Sequence, residues 1–112
     1  MAQSATELLD DASGDLAIGD LASAAAKYRQ ATELEPQNFD AWHALGMALM
    51  RAGDLKPALG AALMATDLAP NDLLAWTALS QIHVKLGNIG EAEAAKANAR
   101  IIGLGGRVTG KG

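Results

Sequence analysis

A short phrase recurs along this chain at a constant interval of 34 residues. Gly19-Asp-Leu, Gly53-Asp-Leu and Gly87-Asn-Ile keep this spacing, and Trp42 and Trp76 lie in a second phrase with the same step. A fixed period of this length is typical of repeat proteins, in which each unit is one supersecondary element that stacks on the next. We therefore expect function on an open surface and not in a buried active site.

Each repeat divides at its glycine into two helical segments. Apolar residues recur at helical spacing on both sides of Gly53, and glycine suits the left-handed conformation that ends a helix. Pro70 ends the second segment because the residue before a proline avoids the helical region, and Asn71 and Asp72 supply capping groups for the next helix. The pattern predicts six helices, over residues 5–18, 21–34, 40–52, 55–68, 74–86 and 89–102.

The composition agrees with closely packed helices. Half of the residues are hydrophobic, but only 4% are aromatic, and much of the apolar content is alanine. Alanine is the strongest helix former and the smallest apolar residue, whereas the β-branched residues that favour strands are few. Short connections make consecutive helices antiparallel. The sequence therefore predicts an all-α fold of three antiparallel helix pairs.

The second unit closely resembles the tetratricopeptide repeat, whose period and residue pattern it shares. The matching residues in this unit are Trp42, Leu45, Gly46, Ala58, Ala65 and Pro70. The third unit matches at Trp76, Leu79, Ala92 and Ala99, and the first at Leu8, Ala24, Tyr28, Ala31 and Pro36. The third departs from the pattern at Ser80, His83, Lys96 and Leu104, and the first at Asp11 and Asp15. We expect these two carboxylates to face water.

The resemblance implies an α-α superhelix, the tetratricopeptide repeat (TPR) solenoid, built from three tandem repeats. The expected units are residues 5–38, 39–72 and 73–106. An N-terminal extension, residues 1–4, precedes them, and a flexible glycine-rich tail, residues 107–112, follows.

The resemblance also implies a function, because in this family the first helix of each pair lines a concave groove that holds a peptide segment of a partner protein. The residues that occupy the groove positions here are His43, Met47, Met50, Arg51, Leu74, Thr77, Gln81 and Lys85. Methionine suits adaptable apolar recognition, and Arg51 and Lys85 could hold an acidic group of the ligand. The alternative for Met47 and Met50 is that they fill the packing between repeats.

One branch of the family grips the C-terminal carboxylates of chaperones with lysine, asparagine and arginine at five positions. This chain has other residues at all five, namely Leu9, Ser13, Ala44, Leu74 and Ala78. We therefore do not expect it to share that specificity.

Charge is unevenly distributed along the chain. The formal net charge is −4, which argues against a nucleic-acid partner, because phosphates require a basic face. Residues 1–38 carry a net charge of −5, residues 39–72 carry −2, and residues 73–112 carry +3. The first repeat is thus acidic and the third basic.

Apolar residues also lie near the C-terminal end, at Ile101, Ile102 and Leu104, where members of this family often carry an extra solvating helix that this chain lacks. One interpretation is a second binding surface, through which the oppositely charged ends associate head to tail. The other is that the tail folds back over these residues, or that the stems of Lys96 and Arg100 shield them. The alternatives to groove binding are thus a scaffold that forms homo-oligomers through its uncapped C-terminal end, and a small secretion-type chaperone for an aggregation-prone subunit.

The chain lacks the constellations that catalysis or cofactor binding requires. His43 and His83 are the only histidines and lie on different predicted helices, whereas a zinc site needs three or four converging ligands. The segment from Gly105 to Lys111 matches the first seven positions of a phosphate-binding loop, but Gly112 stands where Ser or Thr would bind magnesium, and no helix follows. We therefore expect no enzymatic activity, no cofactor and no metal.

Targeting signals are also missing from the sequence. The chain has no cysteine, so disulfides and thiolate chemistry are excluded. No apolar run approaches the roughly 18 residues of a membrane span, and the N-terminus lacks the basic and apolar segments of a signal peptide. We therefore expect a cytoplasmic protein with no membrane partner.

Overall fold

The computed structural model describes residues 3–108, which form six α-helices and no strand. Each predicted helix is present, and each predicted end is correct to within one residue. The helices are α1 (Ala5–Ala17), α2 (Leu21–Leu34), α3 (Phe39–Ala52), α4 (Leu55–Leu68), α5 (Leu73–Leu86) and α6 (Ile89–Gly103).

Short polar side chains start the first helix of every pair. Ser4 and Glu7 form a reciprocal capping box at α1, with Oγ of Ser4 accepting from the Glu7 N–H at 3.1 Å. Asn38 accepts from the N–H of Ala41 at the start of α3, and Asp72 caps α5 in the same way. Each such bond satisfies an N–H that has no partner within its helix.

The glycines of the 34-residue period end the first helices. Gly53 and Gly87 adopt left-handed backbone angles, with φ of 85° and 82°. The chain reverses there in a hydrogen-bonded turn, because the N–H of Asp54 reaches the carbonyl of Leu49 and that of Asn88 reaches His83. These bonds satisfy carbonyls that the helix end leaves free. The glycines that repeat every 34 residues therefore mark the turns between the two helices of each pair.

The three helix pairs stack in chain order. α1 packs on α2, α3 on α4 and α5 on α6, while α2 packs against α3 and α4 against α5. The first helices α3 and α5 also touch each other. The result is an elongated stack of 43 × 25 × 19 Å.

Small residues let the two helices of a pair approach closely. Gly46 of α3 is buried against α4, and a Cβ placed on it would lie 3.5 Å from the backbone nitrogen of Ala62 and 3.6 Å from the carbonyl oxygen of Ala58. Ser80 replaces this glycine in the third pair, and its hydroxyl donates to the carbonyl of Ala92 across the same gap at 2.9 Å. The third pair thus replaces a bare contact with a hydrogen bond between its helices.

One of the two carboxylates that were expected to face water in the first pair does not do so. Asp11 is exposed as predicted, but Asp15 is partly buried and its Oδ2 lies 2.7 Å from Nζ of Lys27 on α2. Asp15 occupies the repeat position held by Leu49 and His83 in the other pairs. The expectation that both carboxylates face water was therefore wrong for Asp15, because Lys27 compensates its charge inside the helix pair.

The chain turns back toward the core after α6, but it leaves two of the three apolar residues of this end exposed, so the interpretation that the tail covers them is met only in part. The backbone N–H of Val108 donates to Oδ1 of Asn71 at 2.7 Å, and Val108 and Ile102 pack against the core. Ile101 and Leu104 stay exposed. Residues 1–2 and 109–112 lie outside the described part of the chain, so the predicted extension and tail, including the glycine-rich stretch that ends at Lys111, fall partly outside it.

Candidate peptide-binding groove

The predicted groove residues divide equally between two neighbouring first helices. Four lie on α3 and four on α5, and these helices contact each other. On α3, the imidazole of His43 stacks on the ring of Phe39, with centroids 5.5 Å apart and planes 11° from parallel. This stacking restricts the ring of His43 and presents it as a partly exposed, flat surface.

The methionines of α3 differ in their surroundings. Met50 is partly buried and packs against the core cluster, so part of its side chain has a structural role. Met47 is partly exposed, one turn earlier on the helix. Arg51 is exposed in the last turn of α3, where a cation also interacts favourably with the negative end of the helix dipole.

The side chains on α5 are more accessible. Leu74 is 63% exposed and Val84 is 55% exposed, which is unusual for large apolar side chains on a packed helix. Gln81 and Lys85 are exposed, whereas the hydroxyl of Thr77 donates to the carbonyl of Leu73 at 2.9 Å within the helix. The available surface of α5 is therefore apolar, with one amide and one ammonium group.

An open cleft of about 650 Å³ runs between α5 and α6. Its lining contains Thr77, Ser80, Gln81, Val84, Lys85, Ala92, Glu93, Lys96 and Ala99. The structure thus brings three predicted groove residues, Thr77, Gln81 and Lys85, together with Val84. The four α3 residues and Leu74 are not part of this cleft.

The α6 side of the cleft was not among the predicted site residues. Glu93 and Lys96 supply its charges, and they stand at the repeat positions of Leu59 and Ala62 in α4. Ala62 is buried, and Leu59 is partly buried and packs against the core. Charged residues at positions that are apolar in the preceding repeat were the sequence signal for this surface.

Other types of site are less evident. Among residues 3–108, no three His, Cys, Asp or Glu side chains converge to hold a metal ion. His83 is buried, and its Nδ1 lies 3.3 Å from Nδ2 of Asn88. No helix in the described part of the chain is both long and apolar enough to cross a membrane.

Two family models match the central part of the chain. The model described as TPR repeat matches residues 15–53, and the model described as tetratricopeptide repeat matches residues 39–82. No curated protein matches the chain by sequence.

Solved structures of the same fold include complexes with peptides and proteins. The first TPR of Spaghetti (RPAP3) bound to the HSP90 peptide SRMEEVD is similar with a TM-score of 0.85 and 17% identity, over 91% of this chain and 81% of that one. MamA is similar with a TM-score of 0.86 and 20% identity, over 91% of this chain and 60% of that one. The CopN–Scc3 complex is similar with a TM-score of 0.84 and 18% identity, over 88% and 58%.

At these identities the likeness shows the fold alone, and the chain spans less than two thirds of the MamA and CopN–Scc3 chains that it matches. The assignment to a family rests on the two matching family models and on the six helices, which fit three repeats. The chain belongs to the tetratricopeptide repeat family.

Proposed function

We propose that this protein is a non-enzymatic interaction module that binds a peptide segment of a partner protein along its first helices α3 and α5. The observation that supports this most directly is the exposed apolar surface of α5, where Leu74 and Val84 leave more than half of their surface in water. Large apolar side chains exposed on a helix beside polar ones are typical of interaction sites. TPR structures with bound peptide or protein agree with this class of function.

The side chains favour a ligand with apolar residues and an acidic group. Leu74 and Met47 offer apolar contacts, while Arg51 and Lys85 are exposed cations at equivalent positions of the two helices. Among residues 3–108 the only ion pair is that of Lys27 with Asp15, so both cations are free to meet a ligand carboxylate.

A C-terminal carboxylate of the chaperone type is a poor candidate ligand. The first TPR of Spaghetti (RPAP3), which has this fold, binds the HSP90 peptide SRMEEVD. The five grip positions of that branch hold Leu9, Ser13, Ala44, Leu74 and Ala78 in this chain. None of these five side chains carries a charge, and only Ser13 can donate a hydrogen bond. We therefore propose recognition of an internal acidic-apolar segment.

A charge placed on the exposed α5 surface should test the groove. In Leu74→Glu, an apolar ligand contact is replaced by a carboxylate that must lose its water on binding, so partner capture from the native lysate should fall about tenfold or more, which corresponds to 1.4 kcal/mol or more. Capture is measured by quantitative mass spectrometry against the wild type, and helicity by circular dichroism. We choose Leu74 over Met50 because Met50 also packs against the core.

Leu34→Glu is the matched control, because Leu34 lies on a second helix and is 55% exposed. It should leave capture unchanged. Arg51→Ala and Lys85→Ala should each weaken capture without loss of helicity. Equal capture by Leu74→Glu and the wild type would show that the partner binds elsewhere.

A further inference from the structure

The two ends of the stack are complementary in position and in charge. Three positions on the first helices that are buried in the second and third pairs are exposed in α1. Ala41, Leu45 and Ala48 of α3 are buried, whereas the equivalent residues of α1 are Glu7, Asp11 and Gly14, all of them exposed. Within the described residues, α3 packs against α2 and α5 against α4 of the pair before, and the three positions are buried in both α3 and α5.

The cleft between α5 and α6 is the other half of the same contact. α5 of the third pair packs against α4 and touches α3, so the first helix of one pair contacts both helices of the pair before it. The cleft lies between α5 and α6, which are the corresponding two helices of the third pair. Its residues Ser80 and Lys96 stand at the repeat positions of Gly46 and Ala62, which are buried in the second pair.

Charge indicates which helix this cleft accepts. The exposed face of α1 carries Asp10 and Asp11, and α1 contains no basic residue. The cleft presents the ammonium groups of Lys85 and Lys96 against one carboxylate, Glu93, and Arg100 follows one turn after Lys96 on α6.

We infer that the α5–α6 cleft receives α1 of a second copy of this chain, so that copies stack head to tail and continue the repeat across the junction. The contact is heterologous, because the acidic face of one copy meets the basic cleft of another, and it can therefore propagate. The acidic face of α1 meets Lys85 and Lys96 in a cleft that also contains apolar residues such as Val84, so the electrostatic part of the attraction weakens as salt rises. The cleft shares Thr77, Gln81 and Lys85 with the proposed peptide groove, so a second copy in the cleft and a peptide along α5 should compete.

Sedimentation velocity over a range of protein concentrations tests the inference. Average mass should rise with concentration at about 0.01 M salt, where the Debye length is about 30 Å, and the rise should shrink at about 0.15 M, where it is about 8 Å. Asp10→Lys with Asp11→Lys, and Lys96→Glu with Arg100→Glu, should each give a monomer under the low-salt condition.

A mixture of these two double variants tests the pairing of the two faces. It brings an intact acidic helix to an intact cleft, and the two reversed faces also carry opposite charges, so association should return at low salt. The mass of the wild type separates head-to-tail stacking from a symmetric dimer, because a heterologous contact continues beyond the dimer whereas an isologous one stops there. Lys96 and Arg100 are not among the eight proposed groove residues, so Lys96→Glu with Arg100→Glu should lose self-association and still capture the peptide partner.

Charge-matched controls remove the effect of net charge alone. Glu33→Lys with Asp67→Lys makes the same change in net charge as the first double variant, and Arg29→Glu with Lys56→Glu makes the same change as the second, all at exposed positions. Both controls should still associate. A wild-type protein that stays monomeric at every concentration at low salt would overturn the inference, as would association that survives both double variants.

Discussion

Nε1 of Trp76 donates a hydrogen bond to the carbonyl oxygen of Pro70 at 2.8 Å and so connects α5 to the loop that precedes it. The same bond recurs one repeat earlier, from Trp42 to Pro36 at 2.8 Å. The two indoles differ in burial, since Trp76 is only 8% exposed whereas Trp42 is partly exposed.

Trp76→Ala should therefore destabilise the fold by about 3–5 kcal/mol, as large-to-small changes in a core do. Trp76→Phe retains most of the apolar contact but leaves the Pro70 carbonyl without its donor, which should cost about 1–3 kcal/mol. Trp42→Ala should cost less than Trp76→Ala because its side chain is less buried. Urea denaturation of the three variants gives the order, and a larger loss in Trp42→Ala would contradict it.

The close approach of α4 to Gly46 limits the size of the side chain that this position can accept. An added Cβ would meet its nearest neighbours at 3.5–3.6 Å, an ordinary van der Waals separation. Gly46→Ala should therefore be tolerated, with a gain of up to about 1 kcal/mol from helix propensity. Gly46→Leu should lose about 1–3 kcal/mol because it overpacks the gap between α3 and α4.

Gly60→Ala is the reference for these two variants, because Gly60 lies in α4 and an added Cβ would have nothing within 4 Å. It should show only the gain in stability from helix propensity. Thermal unfolding midpoints rank the three variants, and equal midpoints for Gly46→Ala and Gly46→Leu would mean that the two helices separate easily.

The ion pair of the first helix pair predicts a response to alkaline pH. The pKa of Lys27 is raised above its usual value of 10.5, mainly by the hydrogen bond to Asp15, with further contributions from the charges of Asp15, Asp11 and Asp20, while partial desolvation opposes the shift. A raised pKa in the folded state means that the pair stabilises the fold below pH 10.5, and that this contribution is lost as pH rises through the folded-state pKa.

Lys27→Met should be less stable than the wild type at neutral pH, and the difference should shrink above pH 10.5. Denaturation midpoints across this range measure it. Lys56→Met is the control, because Lys56 is exposed and makes no ion pair among the described residues. A difference that stays constant with pH would show that the Lys27 stem, and not its charge, is what matters.

Gly87 predicts a backbone effect. Its φ of 82° is unfavourable for residues with a Cβ, although nothing within 4 Å would obstruct the added carbon. Gly87→Ala should therefore cost about 1–2 kcal/mol from conformation alone. Comparison with Gly60→Ala in the same denaturation assay isolates this term, and similar values for the two would be inconsistent with a left-handed requirement at Gly87.

The fold could be predicted from the sequence because its constraints are local. Gly53 and Gly87 end helices, Asn38 and Asp72 start them, and both signals recur with the period. The Asp15–Lys27 pair could not be predicted from a family pattern, because it occurs in one repeat. The sequence nevertheless contained a signal for this ion pair. Lys27 stands where the other repeats have Ala61 and Ala95, so both members of the pair differ from the other repeats at their positions.

The candidate site was less predictable, since a groove position identifies a face but not its neighbours. The sequence could not show that Met50 packs against the core or that Thr77 uses its hydroxyl within the helix. The α6 side of the cleft, at Glu93 and Lys96, belongs to a second helix, whereas the groove positions of this family lie on first helices. That the eight predicted residues form a peptide-binding groove stays a prediction.

Each helix packs mainly on its neighbours in the chain, so the folding of one pair is coupled directly only to that of the adjacent pairs. In such an array, stability is approximately the sum of local and nearest-neighbour terms. Among the described helices, the middle pair packs against a pair on each side, whereas the first and third pairs pack against one pair each. Amide hydrogens in α3 and α4 should therefore exchange most slowly, and the outer pairs should open first. The ends that carry the charges are thus also the parts of the molecule that can rearrange at the lowest free-energy cost.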